Sequence, residues 1–320
     1  LIRDQRLDNE HLIKLGRRFG AFEPPGMSII GKPYIDEYPD ILVISNIIEN
    51  GQPQGNLGAG EASWHTDMSY REVPISYAIL NAVELPPAGG NTQFANQYLA
   101  YDTLPDELKH RLANAIINHD ETYNSAGQLR KGFKVVTDVR EAPGAKHPVF
   151  RTHPRTGKKA LFLGRRLNAY ILGLPVDESE RLLDQLWAHA SQPQFTWTQE
   201  WRMGDVLIWD NRCLIHRRDA FDERRRIALL ESRDARVVAH DADRLHERLG
   251  IVEYRFVVQR LHGAGAVPNG RVNFDRLHLA RELEHAVPSP TLHVRRPGDE
   301  RIFVPKADRL SIPTRHGGAE

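Results

Sequence analysis

Residues 204–216 read Gly-Asp-Val-Leu-Ile-Trp-Asp-Asn-Arg-Cys-Leu-Ile-His. The Gly-Asp pair makes a sharp turn, and the apolar run that follows enters a buried strand, because uninterrupted β-branched and aromatic side chains fit a sheet covered on both faces. His216 closes the stretch. It reads equally as a core histidine with satisfied ring nitrogens and as a ligand carried into the interior. Cys213, three residues earlier, reads as a small buried apolar residue rather than a thiolate ligand.

Working outward, further strands are predicted over residues 41–48, 76–85, 160–163, 194–198 and 226–231. Pro86-Pro87 and the Gly89-Gly90 turn stop the second of these. Three helices accompany them. The first is capped by Asp8 and buries Leu12, Ile13, Leu15 and Phe19; the second covers residues 105–118, with Leu108, Leu112, Ile116 and Ile117 on one face. The third covers residues 177–190, with Leu182, Leu183, Leu186 and Trp187 as its stripe. Residues 123–159 are basic and poor in strand signals, and an irregular insertion of that length often serves as a lid.

Forty-three Lys and Arg stand against 42 Asp and Glu, so a net charge of +1 excludes an extended electrostatic footprint for nucleic acid or an acidic membrane. No apolar run is long enough to span a bilayer. A single cysteine cannot form an internal disulfide, which fits a reducing, cytoplasmic setting. The chain opens Leu-Ile-Arg-Asp and reads as beginning inside an element. Beyond about residue 233 the periodicity fades and Arg and His accumulate. The expected organisation is therefore a main domain over residues 1–232, truncated at its N-terminus, and an Arg/His-rich appendage over residues 233–320. An added domain, a tail or translation of a wrong reading frame would each account for that appendage.

The chemistry concentrates in Trp64-His65-Thr66-Asp67. Side chains at i and i+2 share one side of an extended strand, so His65 and Asp67 can reach one metal ion. Alone, such a pair reads as readily as a hydrogen-bonded polar strand end. With His216 it makes a set of two histidines and one carboxylate that leaves three coordination positions open, a geometry suited to Fe(II). Arg226, ten residues after His216, offers a guanidinium for bidentate pairing with a carboxylate; a solvated arginine run is the plain alternative.

Taken together, WHTDMSY, PPAGGNTQFANQYLAYDTLP, GDVLIWDNRCLIH and RRRI, in that order, resemble the taurine dioxygenase/2,4-dichlorophenoxyacetate dioxygenase family over residues 1–232. The resemblance implies a mostly β fold with flanking helices, built on a double-stranded β-helix (jelly-roll) core. It implies an Fe(II)- and 2-oxoglutarate-dependent dioxygenase that hydroxylates a small organic substrate with O2, while 2-oxoglutarate is decarboxylated to succinate and CO2. His65, Asp67 and His216 become the iron ligands. Thr92 and Arg226 match the groups that hold the distal carboxylate of the cosubstrate, and Trp209 packs under the metal strand. Glu61 and Tyr70 are the substrate-facing candidates, with Met68 beside them. Asp67 fills the position that halogenases of this fold leave open, so hydroxylation is favoured.

The chain also departs from the pattern. Leu230 stands where some members carry a second arginine four residues after the anchor, and Pro25 falls near their substrate-binding histidine. An anionic group therefore lacks an obvious partner at both places. The alternatives are a zinc-type metal-dependent hydrolase using the same three ligands and a catalytically defective, non-enzymatic relative. No nucleic-acid or membrane partner is expected, and family habit points to a homo-oligomer.

Overall fold

The computed structural model describes residues 1–22, 33–55 and 62–236. In chain order its elements are α1 (Asn9–Gly16), β1 (Leu42–Ser45), β2 (Ala62–His65), β3 (Tyr77–Glu84), β4 (Thr92–Asn96), α2 (Gln97–Asp102) and α3 (Asp106–Arg111). There follow β5 (Ile116–Asp120), β6 (Gly144–Pro148), β7 (Phe150–Thr152), β8 (Lys159–Leu161), β9 (Tyr170–Ile171) and α4 (Val176–Ala190). Last come β10 (Thr196–Gln199), β11 (Val206–Asp210), β12 (Leu214–Arg218) and β13 (Ala228–Arg236), with two-residue strand pieces between some of them.

Two antiparallel sheets make the body. One runs β1-β13-β3-β11 and the other β10-β4-β12-β2. They are the two walls of a jelly roll. The period-two alternation of side chains divides the core accordingly. Phe94 and Leu214 meet Leu80, Leu207, Trp209 and Leu229 between the sheets. Their strand neighbours Ala95 and Ile215 face outward and pack under α4 through Leu183, Leu186 and Trp187. On the other flank, Leu12, Ile13 and Leu15 of α1 cover Tyr77, Ile79 and Val206.

Local chemistry sets the helix boundaries. Asp8 caps α1 by accepting the His11 backbone N–H at 2.8 Å, and Asn96 caps α2 through the N–H groups of Tyr98 and Leu99 at 3.0 and 3.2 Å. Helix α4 matches the predicted stripe, with Leu183 and Leu186 fully buried.

The segment over residues 105–118 differs from its prediction. Only Asp106–Arg111 is helical, and Ile116 and Ile117 begin β5, which pairs with β6 and β9. Those isoleucines satisfy a helical spacing after Leu108 and Leu112, yet they are β-branched and find sheet partners distant in sequence. The 123–159 stretch likewise contains strand, in β6 and β7. Strand β13 runs through Arg236, so regular structure crosses the compositional change near residue 233. Residues 245–249 and 274–285, whose sequence could form short helices, lie outside the described residues. No described helix is long and apolar enough to cross a membrane.

Candidate metal and cosubstrate site

Strand β12 lies between β4 and β2, and its register sets His216 directly opposite His65. Opposed residues in an antiparallel pair share a face, and the two imidazole centroids stand 4.2 Å apart. Trp209 and Phe94 pack against the His216 ring at 5.1 and 5.9 Å, which fixes its rotamer from below. Asp67 follows the end of β2 in a turn that places Met68 at φ +46°. Two bonds hold this turn: Thr66 N donates to the Gly164 carbonyl at 2.9 Å, and Asp67 N donates to Asn211 Oδ1 at 3.4 Å.

The three side chains therefore converge. One potential ligand atom from each of His65, Asp67 and His216 lies within 4.8 Å of the others, and all three residues are buried. Nε2 of His65 is 3.5 Å from Asp67 Oδ1, and Nε2 of His216 is 3.6 Å from Asp67 Oδ2. His65 Nδ1 faces the Ser63 carbonyl at 2.8 Å, so donating there leaves the Nε2 lone pair for a metal. Asp67 Oδ2 is buried and has no hydrogen-bond partner among the described residues. A buried carboxylate oxygen with no donor, facing two imidazoles, is the environment that a divalent cation satisfies. The residues fit the metal.

Electrostatics reinforce the arrangement. Burial would raise the Asp67 pKa, but the facing His216 ring, the Arg233 guanidinium and the bond to His65 outweigh it and hold the carboxyl well below its usual range. Burial, aided by His65, pushes His216 down to about 3, so the ring stays neutral and able to ligate. The sequence reading missed Arg233 and Glu231. Arg233 Nη2 stands 3.6 Å from Asp67 Oδ1 and 2.9 Å from Glu231 Oε2. Burial raises Glu231 to about 7 in spite of that arginine. The available signal is strand parity: Ile227, Leu229 and Glu231 are buried, and Arg233 continues the alternation inward.

The expected cosubstrate residues separate. Thr92 is buried and cross-strand from Arg218, and its hydroxyl accepts from Trp201 Nε1 at 3.0 Å. Arg226 is not in the site. It precedes β13 on the surface, where it binds Glu84 Oε1 at 2.7 Å and Glu49 Oε1 at 3.3 Å. Parity again explains the outcome, because inward Ile227 turns its neighbour out. Arg218 instead lies two residues beyond His216 on the same face of β12, buried opposite Thr92. Burial lowers its pKa to about 10.

Tyr70, three residues after Asp67, is buried, and Arg130 Nη1 donates to its hydroxyl at 2.8 Å. Met68 is buried in the core between the sheets. Glu61 lies outside the described residues. Cys213 is buried among apolar side chains, as its sequence context predicts. A cavity of about 220 Å³ opens next to β2, lined by Ser63, Asp120, Tyr123, Asn124, Arg165 and Leu167 among others.

Two facing antiparallel sheets with two histidines and a carboxylate gathered at one strand end define a jelly-roll, metal-dependent oxygenase of the 2-oxoglutarate class. The profile of the family described as "Taurine catabolism dioxygenase TauD, TfdA family" matches residues 1–231, and the chain belongs to that family. An alpha-ketoglutarate-dependent 2,4-dichlorophenoxyacetate dioxygenase of Burkholderia sp. (strain RASC) is 32% identical over 232 residues, covering 69% of this chain and 76% of the relative. Pentalenolactone F synthase of Streptomyces avermitilis is 35% identical over 235 residues, covering 67% and 73%. Among solved structures, AAD-2 in complex with Mn(II) and N-oxalylglycine is 31% identical with a TM-score of 0.53, covering 61% of this chain and 72% of that one. The chain is thus an enzyme, a 2-oxoglutarate-dependent dioxygenase acting on a small organic molecule.

Proposed function

We propose that His65, Asp67 and His216 hold Fe(II), that Arg218 and Thr92 anchor the distal carboxylate of 2-oxoglutarate, and that the enzyme hydroxylates a small organic substrate. The observation carrying this reading is the buried triad, whose carboxylate oxygen Asp67 Oδ2 lacks a partner among the described residues. When bound, the metal and cosubstrate supply the oxidising chemistry, with 2-oxoglutarate leaving as succinate and CO2. The chain's own residues orient and shield. His65 and His216 are held in register by β2 and β12, and Trp209 and Phe94 back His216 with apolar surface that limits water at the centre. Arg218 offers a planar, permanently charged fork, and Thr92 a hydroxyl beside it, for a carboxylate that must otherwise bear its own desolvation.

Anaerobic titration with Fe(II) and 2-oxoglutarate, followed by visible charge-transfer absorption, tests this assignment. His216→Ala abolishes the signal. Arg218→Gln weakens cosubstrate binding by about 1.5–3 kcal/mol, the worth of a hydrogen bond to a charged group, whereas Arg226→Gln leaves it unchanged. An unaltered affinity in Arg218→Gln removes that residue from the anchor. No signal from folded wild type moves the triad toward the zinc hydrolase reading.

A further inference from the structure

Strand β13 turns two opposite charges toward the triad. Glu231 and Arg233 stand two residues apart, so their side chains share one face. In register they oppose Leu80 and Ala78 of β3, both of which belong to the core between the sheets. Ala78 carries only a methyl group, which leaves room beside it for the longer arginine stem. The pair is closed on itself: Arg233 Nε donates to Glu231 Oε1 and Nη2 to Oε2, each at 2.9 Å. Nη2 carries two N–H bonds, so one remains beside Asp67 Oδ1, 3.6 Å away.

The two Asp67 oxygens are thereby unlike. Oδ1 stands between this fixed guanidinium and Nε2 of His65, the latter at 3.5 Å. Oδ2 faces Nε2 of His216 at 3.6 Å and has no hydrogen-bond partner among the described residues. Burial opposes the charge on Arg233, but Glu231 and Asp67 outweigh it and keep the head ionised. A buried ion pair brings little stability over apolar residues of the same size, so packing alone gives no reason for this one. A lone arginine here would repel a divalent cation. Paired with ionised Glu231, it offers Oδ1 a donor while the pair adds no net charge.

We propose that Arg233 and Glu231 are positioning residues that reserve Asp67 Oδ1, so that the carboxylate gives the metal Oδ2 alone. With two imidazoles and one oxygen engaged, three positions stay free: two for a chelating cosubstrate and one beyond it. Ligation through both oxygens would close the last of these. This rests on the oxygenase reading of the triad.

The test uses full-length protein with Mn(II), then with Mn(II) and N-oxalylglycine, and counts metal-bound waters by water-proton relaxation. Wild type holds about three, of which about one survives saturation with N-oxalylglycine. Arg233→Gln/Glu231→Gln, which leaves no unpaired charge buried, holds about two and then none, with Mn(II) affinity undiminished. Arg233→Lys keeps a cation beside Oδ1 and keeps the wild-type counts. About two waters on Mn(II) in wild type overturns the proposal without any variant, because both Asp67 oxygens would then reach the metal. The wild-type count in the double variant, or the lowered count in Arg233→Lys, overturns it as well. Weaker Mn(II) binding at an unchanged count reduces the pair to a structural role, and weaker N-oxalylglycine binding at an unchanged count reassigns Arg233 to the cosubstrate; either result rejects the proposal. Wild type that binds no Mn(II) at all strikes the metal reading of the triad instead, and this inference with it.

Discussion

Gly164 shows how far one residue reaches into this site. Its φ is +69°, and a Cβ built there would stand 1.9 Å from Nδ1 of His119, which is buried. The turn it permits aims the Gly164 carbonyl at Thr66 N, the residue between His65 and Asp67. Gly164→Ala therefore meets both an unfavourable backbone region and a ring with no room to move. We expect a loss of about 1–3 kcal/mol in urea unfolding and weaker Mn(II) binding by the protein that remains folded. A variant destabilised in urea that still binds Mn(II) like wild type would separate the turn from the ligand geometry.

At the scale of elements, the ligand set depends on where strands end and how they are joined. Asn211 lies between β11 and β12, and its Oδ1 accepts from both Asp67 N at 3.4 Å and Trp209 Nε1 at 3.0 Å. It ties the turn carrying Asp67 to the strand whose Trp209 backs His216. Asn211→Ala leaves two buried donors without their acceptor and is expected to cost about 1–3 kcal/mol in stability. Mn(II) affinity measured by calorimetry should fall with it; stability lost alone would make Asn211 a packing residue. The same scale explains what the sequence revealed. His65, Asp67 and His216 were legible because their types are scarce, their spacing is short, and strand periodicity places them. Helix α4 was legible because its stripe is internal to one segment. Strand β5 was not, since Ile116 and Ile117 acquire their identity from β6 and β9, far along the chain. Arginine roles were the least legible. The chain is rich in arginine, and register and parity decide which heads turn inward: Arg218 and Arg233 do, and Arg226 does not.

Across the whole molecule, one buried acid joins parts distant in sequence, and its protonation sets an acid limit on stability. Asp210, at the end of β11, meets Arg212 at 2.5 Å and His153, from the stretch between β7 and β8, at 3.2 Å. Arg212 in turn donates to the Tyr77 hydroxyl on β3 at 2.7 Å. Burial opposes ionisation of Asp210, but the bonds from Arg212 and His153 outweigh it and hold the carboxyl far below its ordinary value. A folded-state pKa depressed in this way gives stability that is complete above the unfolded value, about 3.9. That stability is lost as pH falls from there toward the folded pKa. Wild type should accordingly lose unfolding free energy steadily below about pH 4. Asp210→Asn keeps the shape and removes the titrating charge, so it should be less stable at pH 7 and show a shallower decline in acid. Urea unfolding at pH 7, 4 and 3 decides the matter. Parallel acid declines in the two proteins would place the limit in other carboxylates, and a variant as stable as wild type at pH 7 would show that hydrogen bonding, rather than charge, holds β11 to the segments around it.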